Sequence, residues 1–410
     1  MSDIFSSRIG SRAARSMAQR IAQRIAWRIA GCAVLVLGTA CGGLLDVSDP
    51  TLVQDKDIAN ASGADSRRLD VVVNFHPAAI RLANDVALFT DERIVDLPLT
   101  RNDVSYYLDR RDGPGYEALA RNQDPHLGGW DDIVNRAAVA IPKVRAYSAD
   151  SLKGDYLAQL YAYRGYAILQ MAEDICSGFP INEVVDQQPA FSGPFTTDSA
   201  VKYALAQLDS VLAEAHDSTD LINFARVLRG RAYLDLKQYT QAAAAVADVP
   251  TEFSYQTLMW TPFNYFYVNG NVNYWKPTIR TQVRFAVGDT EGTNGLPFVS
   301  AHDPRVPSVY KVVRINNPHD SLYDQLKYPS KADPMVLAGG IEARLIEAEA
   351  ALNAGDPSWF DTLNMLRSTM ISPAMDAIPV MPATTKDQVD LLYRERAFWL
   401  YLTGRRLGDL

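Results

Sequence analysis

Two segments of this chain, 65 residues apart, share one pattern of charged, small and apolar residues: 164–169 reads RGYAIL, and 229–234 reads RGRAYL. In the second copy Gly230 stands where a following helix would pack closest. The turn at 236–239 then leads into a further helix, which has Ala242 at its own contact position. Such repetition predicts stacked helix pairs, because each pair must bury its apolar face against the next.

A third copy of the pattern covers 345–356. Ala348 and Ala351 would face inward there, and the chain would turn at 354–356. The spacing between the first two copies is close to two units of the roughly 34-residue tetratricopeptide repeat. We therefore predict a mainly α protein made of tetratricopeptide-like helix pairs in an α–α superhelix. The alternative is a set of unrelated antiparallel helix pairs, because small residues are common at all helix contacts.

Apolar residues recur three or four positions apart along most of the chain, which is the spacing of one helix face. This periodicity predicts helices over 78–93, 130–147, 152–175, 199–215, 221–236, 239–249, 341–353, 357–369 and 386–403. Strand-like alternation is short and rare. Two long segments, 179–197 and 251–338, interrupt the helix pairs, and we expect ligand specificity to lie in these irregular, loop-rich insertions.

The insertion at 251–338 is unusually aromatic at its start. Nine aromatic residues fall between positions 253 and 275, interleaved with four asparagines. Aromatic rings stack on the C–H faces of sugars and amide groups bond sugar hydroxyls, so this segment suits saccharide binding. The candidate ligand-binding residues, taken as a group, are Trp260, Tyr265, Tyr267, Tyr274 and Trp275. The alternative is that most of these rings fill the insertion's own core.

The first 40 residues have the composition of an export signal. They contain six arginines against one acid, Asp3, and end in an apolar run at 29–40. A run of this length is too short to span a bilayer as a stable helix, and its positive flank lies on the N-terminal side. We therefore predict a lipoprotein signal peptide over 1–40. A retained membrane anchor is the alternative.

Cys41 follows the apolar run directly and is the predicted lipidation site. Cys32 fits the residues of a lipobox better, but it comes before the apolar run, where cleavage would have no signal core behind it. We therefore predict Cys41 as the first mature residue, followed by a surface tether over 41–66. Translation from Met17 would give a shorter leader. Cys176 is the only other thiol, so the mature chain cannot form an internal disulfide framework.

Charge and motif content exclude several classes of function. Residues 41–410 contain 34 basic and 47 acidic residues, a net charge of −13. A surface this acidic repels phosphate groups, so we predict no nucleic-acid partner. The five histidines show no metal-ligand spacing, and the sequence has no Gly-rich phosphate loop or nucleophile elbow. We predict no metal site, no cofactor and no enzymatic activity.

The C-terminal segment 393–410 reads YRERAFWLYLTGRRLGDL. Its Glu-Arg, Gly-Arg-Arg and Asp-Leu elements resemble the terminal motifs of the SusD/RagB family of nutrient-uptake lipoproteins. Four further elements resemble that family in the same order: Leu45-Asp46-Val47, Gly178-Phe179-Pro180, Asp303-Pro304-Arg305 and Asn364-x-x-Arg367. The resemblance covers 41–410. Trp399 departs from it, because the family has an acid at that position.

The resemblance implies a SusD-like helical domain over 67–410 with its ligand-binding region in the insertion at 251–338. It also implies a lipid-anchored, surface-exposed protein of the bacterial outer membrane, seated on a SusC-like TonB-dependent barrel. Such a protein captures an oligosaccharide or a peptide without bond breaking. Family ligand sites also draw on the loop after the first helix, where the candidate residues are Asp91, Arg101, Asn102, Tyr106 and Tyr107.

Four charged residues near the C-terminus stand at helical spacing: Glu395, Arg396, Arg405 and Asp409. We predict that they form a structural ion-pair network that anchors the terminal helices. Two other functions stay open. The chain could be a tetratricopeptide scaffold lipoprotein that binds only envelope proteins, or a glycoside hydrolase, which needs two facing carboxylates in a cleft.

Overall fold

Helices dominate the described part of the chain. The computed structural model describes residues 58–95, 125–175, 177–181, 183–185, 188–190, 192–258, 285–293, 295–313, 321–329 and 333–410. In chain order the helices are α1 (Ala61–Phe89), α2 (Pro125–Tyr147), α3 (Asp150–Asp174), α4 (Thr197–Glu214), α5 (Thr219–Asp235), α6 (Tyr239–Val246), α7 (Gly340–Asn353), α8 (Ser358–Thr369) and α9 (Thr385–Trp399). None of the helices in these ranges is long and apolar enough to cross a membrane.

The helices stack in sequence order. Each helix from α1 to α7 packs against the next one along the chain, and α9 packs on α7. Nearest-neighbour packing of this kind is the arrangement of stacked helix pairs. The four pairs are α1–α2, α3–α4, α5–α6 and α7–α8, which confirms the prediction of a mainly α, tetratricopeptide-like architecture.

The two aligned glycines of the repeated segments lie at equivalent helix contacts. A Cβ atom on Gly230 of α5 would lie 2.5 Å from Cγ1 of Val246 on α6, and one on Gly165 of α3 would lie 2.9 Å from Cδ2 of Leu208 on α4. Both distances are too short for a real side chain. The glycines therefore let the two helices of a pair approach closely, as the repeat pattern predicts.

Local capping explains where several helices begin. The Asn60 side chain accepts a hydrogen bond from the Gly63 amide at the start of α1. Threonine or serine side chains cap α4, α5 and α9 in the same way. These side chains satisfy amide groups that have no partner within the helix, which fixes the first turn.

Helix α1 is longer than predicted. It begins at Ala61, inside the predicted tether of 41–66, whereas periodicity placed the start at 78. Pro77 lies within the helix, where the sequence pattern suggested a boundary. The helix continues through Pro77 because buried residues on both sides, among them Phe75 and Ile80, pack into the core and outweigh one lost backbone hydrogen bond.

Short strands follow α1 and lie in the two insertions. They are β1 (Arg93–Val95), β2 (Phe179–Pro180), β3 (Glu183–Val185), β4 (Gln188–Ala190), β5 (Pro194–Phe195), β6 (Ser254–Gln256), β7 (Phe285–Val287), β8 (Ser308–Val313), β9 (Ser321–Gln325) and β10 (Val336–Gly339). The antiparallel pairs are β1–β7, β2–β5, β3–β4, β6–β10 and β8–β9. Pairing of β6 with β10 brings Ser254 opposite Gly339, so it closes the second insertion at its base.

Most of the buried apolar residues of the described ranges belong to two clusters. The larger one runs through α1 to α7 and includes Phe398 and Tyr401. The smaller one joins α7, α8 and α9 through residues such as Trp359, Leu363 and Trp399. The second insertion meets the helices between these two clusters, and the candidate site lies at that junction.

Candidate functional site

A cavity of about 440 Å³ lies where the base of the second insertion meets α7, α8 and the end of α9. Six chain segments line it: 251–254, 304–307, 326–327, 336–342, 370–371 and 399–403. We call this cavity the base pocket. Its volume is within the range of roughly 300–1,000 Å³ that is typical of small-molecule sites. Most of its lining comes from the region that the sequence assigns to ligand binding.

Trp399 forms a fixed aromatic wall of the base pocket. The Arg305 guanidinium carbon lies 5.0 Å from the centre of the Trp399 ring and 5.3 Å from that of Phe398. These distances allow cation–π attraction to both rings. Arg305, in the loop before β8, therefore holds the Trp399 ring at the end of α9.

Glu395 is the polar centre of the same junction, and its side chain has no exposed surface. It accepts hydrogen bonds from Nη1 of Arg305 at 2.6 Å and from Nη1 of Arg367 at 2.9 Å. Arg305 also pairs with Asp303 at 2.6 Å. Three motifs that the sequence presents separately thus meet at one carboxylate, which ties the insertion and α8 to α9.

Lys327 lines the base pocket near a second buried polar group. Its amine donates a hydrogen bond to the carbonyl oxygen of Tyr401. Glu92 lies nearby and accepts a hydrogen bond from the Leu402 amide at 2.8 Å. Burial raises the pKa of Glu92 to about 7, because a charged carboxylate is poorly solvated there. Burial also lowers the pKa of Lys327 to about 8.

Replacing Glu92 with glutamine is expected to remove a pH-dependent loss of stability. The free energy of unfolding of the variant should rise relative to that of wild type as the pH increases from about 4.5 to 7. The unfolded chain loses the Glu92 proton near the ordinary pKa of 4.5, whereas the folded chain holds it up to about 7. The folded state therefore binds more protons in this interval, and wild type loses stability as the pH rises through it.

Glutamine has no such proton, so the difference in free energy of unfolding between variant and wild type should grow by about 3 kcal/mol across the interval. Urea unfolding of both proteins at several pH values measures this difference. A difference that stays constant with pH would contradict the account.

The C-terminal residues make buried ion pairs with distant helices. Arg396 pairs with Asp409 at 2.6 Å, and both belong to the predicted ion-pair set. Arg405 pairs instead with Glu173 at the end of α3, at 3.1 Å. Glu395, as described above, pairs with two arginines outside the set. The four charged residues are all in ion pairs, but most of their partners come from elsewhere in the chain.

Asp91 lies in this buried ion-pair system. It has no exposed surface, and its two oxygens accept from Nε of Arg406 at 2.6 Å and from Nη2 at 2.9 Å. It also accepts a hydrogen bond from the Leu296 amide at 2.8 Å. These contacts occupy the carboxylate, so Asp91 joins the end of α1 to the C-terminal segment rather than facing a ligand.

The other predicted ligand residues lie outside the described residues, and so does the lipidation site. They are Trp260, Tyr265, Tyr267, Tyr274, Trp275, Arg101, Asn102, Tyr106, Tyr107 and Cys41. Their roles stay predictions. The base pocket itself was not predicted, because its walls come from segments up to about 150 positions apart. Trp399 carried one signal, since it departs from the motif around it.

The described residues offer no group of three histidine, cysteine or acidic side chains that could hold a metal ion. The lining of the base pocket offers apolar contact, one aromatic ring system at Trp399 and several hydrogen-bonding groups. Such an arrangement binds a ligand by its shape and by the position of its polar groups.

No protein-family model matches this sequence, and no curated protein matches it. Solved structures do match. A SusD superfamily protein of Bacteroides thetaiotaomicron has a TM-score of 0.62 at 13% identity, covering 84% of this chain and 88% of that chain. A SusD-like carbohydrate-binding protein of Bacteroides vulgatus has a TM-score of 0.57 at 14% identity, covering 85% and 83%.

A third structure, NanU of B. fragilis, has a TM-score of 0.57 at 12% identity and covers 88% of this chain and 91% of that one. The three similarities extend over most of each chain. At such low identity they establish the fold. They agree with the terminal motifs and with the order of the helix pairs, and the chain therefore has the SusD-like fold.

Proposed function

We propose that this protein is a surface lipoprotein that captures a saccharide and passes it to a TonB-dependent barrel. The observation that carries the proposal is the SusD-like fold with a preformed pocket at the base of its aromatic insertion. One protein with the same fold is a carbohydrate-binding protein, which supports a saccharide as the ligand. The ligand is bound and released unchanged.

The aromatic group of the insertion and the base pocket would both contact the ligand. The aromatic group of Trp260, Tyr265, Tyr267, Tyr274 and Trp275 would supply stacking surfaces for successive sugar rings. The base pocket would hold one unit of the ligand more closely. A peptide is the other ligand class that fits an aromatic and amide-rich segment, so both classes belong in the test.

The test is an array of oligosaccharides and peptides, followed by calorimetry on the full-length protein in detergent. We expect binding to an oligosaccharide without product release. Replacing Trp260 and Trp275 with alanine should weaken it at least tenfold, since each stacked ring contributes about 1 kcal/mol or more. Tyr147→Ala, which removes an exposed aromatic residue at the end of α2, is the matched control and should leave the affinity unchanged.

Anchoring and delivery need separate measurements. Palmitate labelling of the wild type and of Cys41→Ser should show lipid on the first alone. Affinity purification from the native membrane should recover a TonB-dependent barrel. If the double tryptophan variant binds glycan with unchanged affinity, Trp260 and Trp275 are not part of the binding site. If the protein binds only peptides, its ligand is a peptide and not a saccharide.

A further inference from the structure

The base pocket is more apolar than a site for an unsubstituted sugar needs to be. Eleven of the nineteen residues that line it are apolar, and Trp399, Leu326 and Ile371 are among them. Apolar walls gain free energy when they cover apolar ligand surface. A ring that carries a hydroxyl on nearly every carbon offers little such surface.

Several of the polar side chains that line the base pocket are engaged within the protein. Arg305 is held by Asp303 and Glu395, as described above. The Glu342 carboxylate is 2.7 Å from a guanidinium nitrogen of Arg231.

Two of the smaller polar side chains also make hydrogen bonds within the protein. The Thr403 hydroxyl donates to the Leu400 carbonyl at 2.6 Å. The Ser254 hydroxyl accepts from Gln256 at 3.0 Å. A sugar hydroxyl placed against the engaged groups would give up hydrogen bonds to water and find few replacements, which disfavours a bare sugar ring there.

Lys327 lines the base pocket and keeps part of its bonding capacity. An ammonium group carries three hydrogens. One of them goes to the carbonyl oxygen of Tyr401. Two hydrogens remain for the oxygen atoms of a ligand that reaches the amine. A carbonyl oxygen next to an apolar group would match this combination of a donor and apolar walls.

We propose that the base pocket binds an acyl substituent on the saccharide, that is, a short ester- or amide-linked group. Its alkyl part lies against Trp399 and Leu326, and its carbonyl oxygen accepts a hydrogen bond from Lys327. The volume of about 440 Å³ accommodates the substituent together with the sugar unit that carries it. This inference rests on the proposed saccharide-binding function, and it names the chemical class of the ligand.

The experiment compares matched neutral ligands on the full-length protein. Xylo-, manno- and gluco-oligosaccharides are each prepared in a free form and in a chemically O-acetylated form, and dissociation constants are measured by calorimetry. We expect the acetylated form of the bound backbone to bind about tenfold more tightly or better, because the acyl group removes apolar surface from water.

Variants test whether the base pocket is the source of the preference for the acetylated form. Leu326→Trp fills the base pocket from a partly exposed position and should abolish the preference for the acetylated form. Leu152→Trp, at an exposed leucine on α3, is the matched control and should keep the preference. Ile371→Trp repeats the test if the first variant does not fold.

The possible results separate the two proposals. Equal affinity for both forms, or a preference that survives in the variants that fill the base pocket, overturns the acyl inference and leaves saccharide capture standing. No binding of either form of any backbone overturns the proposed function, and the inference fails with it. Tighter binding of acetylated ligands that is lost only in the variants of the base pocket supports both.

Discussion

Replacing Glu395 with alanine is expected to lower the free energy of unfolding by about 3–5 kcal/mol, because the variant leaves buried guanidinium groups without their shared carboxylate. The Glu395 side chain has no exposed surface, and the Arg305 and Arg367 side chains are 2% and 14% exposed. Water cannot readily replace the lost partner. The contact between the insertion, α8 and α9 would be weakened at its centre.

Urea unfolding monitored by circular dichroism measures this change, with the midpoint compared at constant slope. Glu347→Ala is the matched control. Glu347 is also a helical glutamate paired with an arginine, Arg344 at 3.1 Å, but its side chain is 29% exposed. We expect that variant to lose about 1 kcal/mol or less. Equal losses in the two variants would show that Glu395 does not hold the junction.

Replacing Asp91 with alanine should cost a similar amount, about 3–5 kcal/mol, for the same physical reason. The variant leaves Arg406, which is 6% exposed, without its carboxylate partner and removes the acceptor of the Leu296 amide. The end of α1 would lose its link to the C-terminal segment. Thermal or urea unfolding measures the loss.

A control separates this structural role from ligand contact. Asp65→Ala removes an aspartate that pairs with Arg68 at 2.7 Å but is 41% exposed, so the expected loss is about 1 kcal/mol or less. Below its unfolding transition, Asp91→Ala should bind glycan with the affinity of wild type. Wild-type stability together with lost binding would instead assign Asp91 to the ligand site.

The sequence predicted the helices well where one apolar face repeats without interruption. Helix α2, predicted over 130–147, ends at Tyr147 as expected. The start of α1 was missed because Pro77 interrupts the pattern, and because tertiary contacts decide whether such a helix continues. The strands could not be predicted individually, since pairs of two or three residues carry too little periodicity.

The candidate site was predictable only as a region. Local composition identified the insertion at 251–338, and the base pocket lies at its foot. The individual walls depend on contacts between distant segments, such as those that bring Leu326, Ile371 and Trp399 to one cavity. The same limit applies to ion pairs: Arg406 and Asp91 are 315 positions apart, and no spacing rule joins them.

The closure of the insertion by β6 and β10 has a consequence for how this scaffold can diversify. Ser254 and Gly339 are paired across neighbouring strands, so the two ends of the intervening chain lie about 5 Å apart. The second insertion is also anchored along its length, for example by Arg305, which pairs with Glu395 on α9. The chain between such anchors can lengthen, shorten or be exchanged without moving α6 or α7. Ligand preference can thus change between the anchors while the helical frame stays the same.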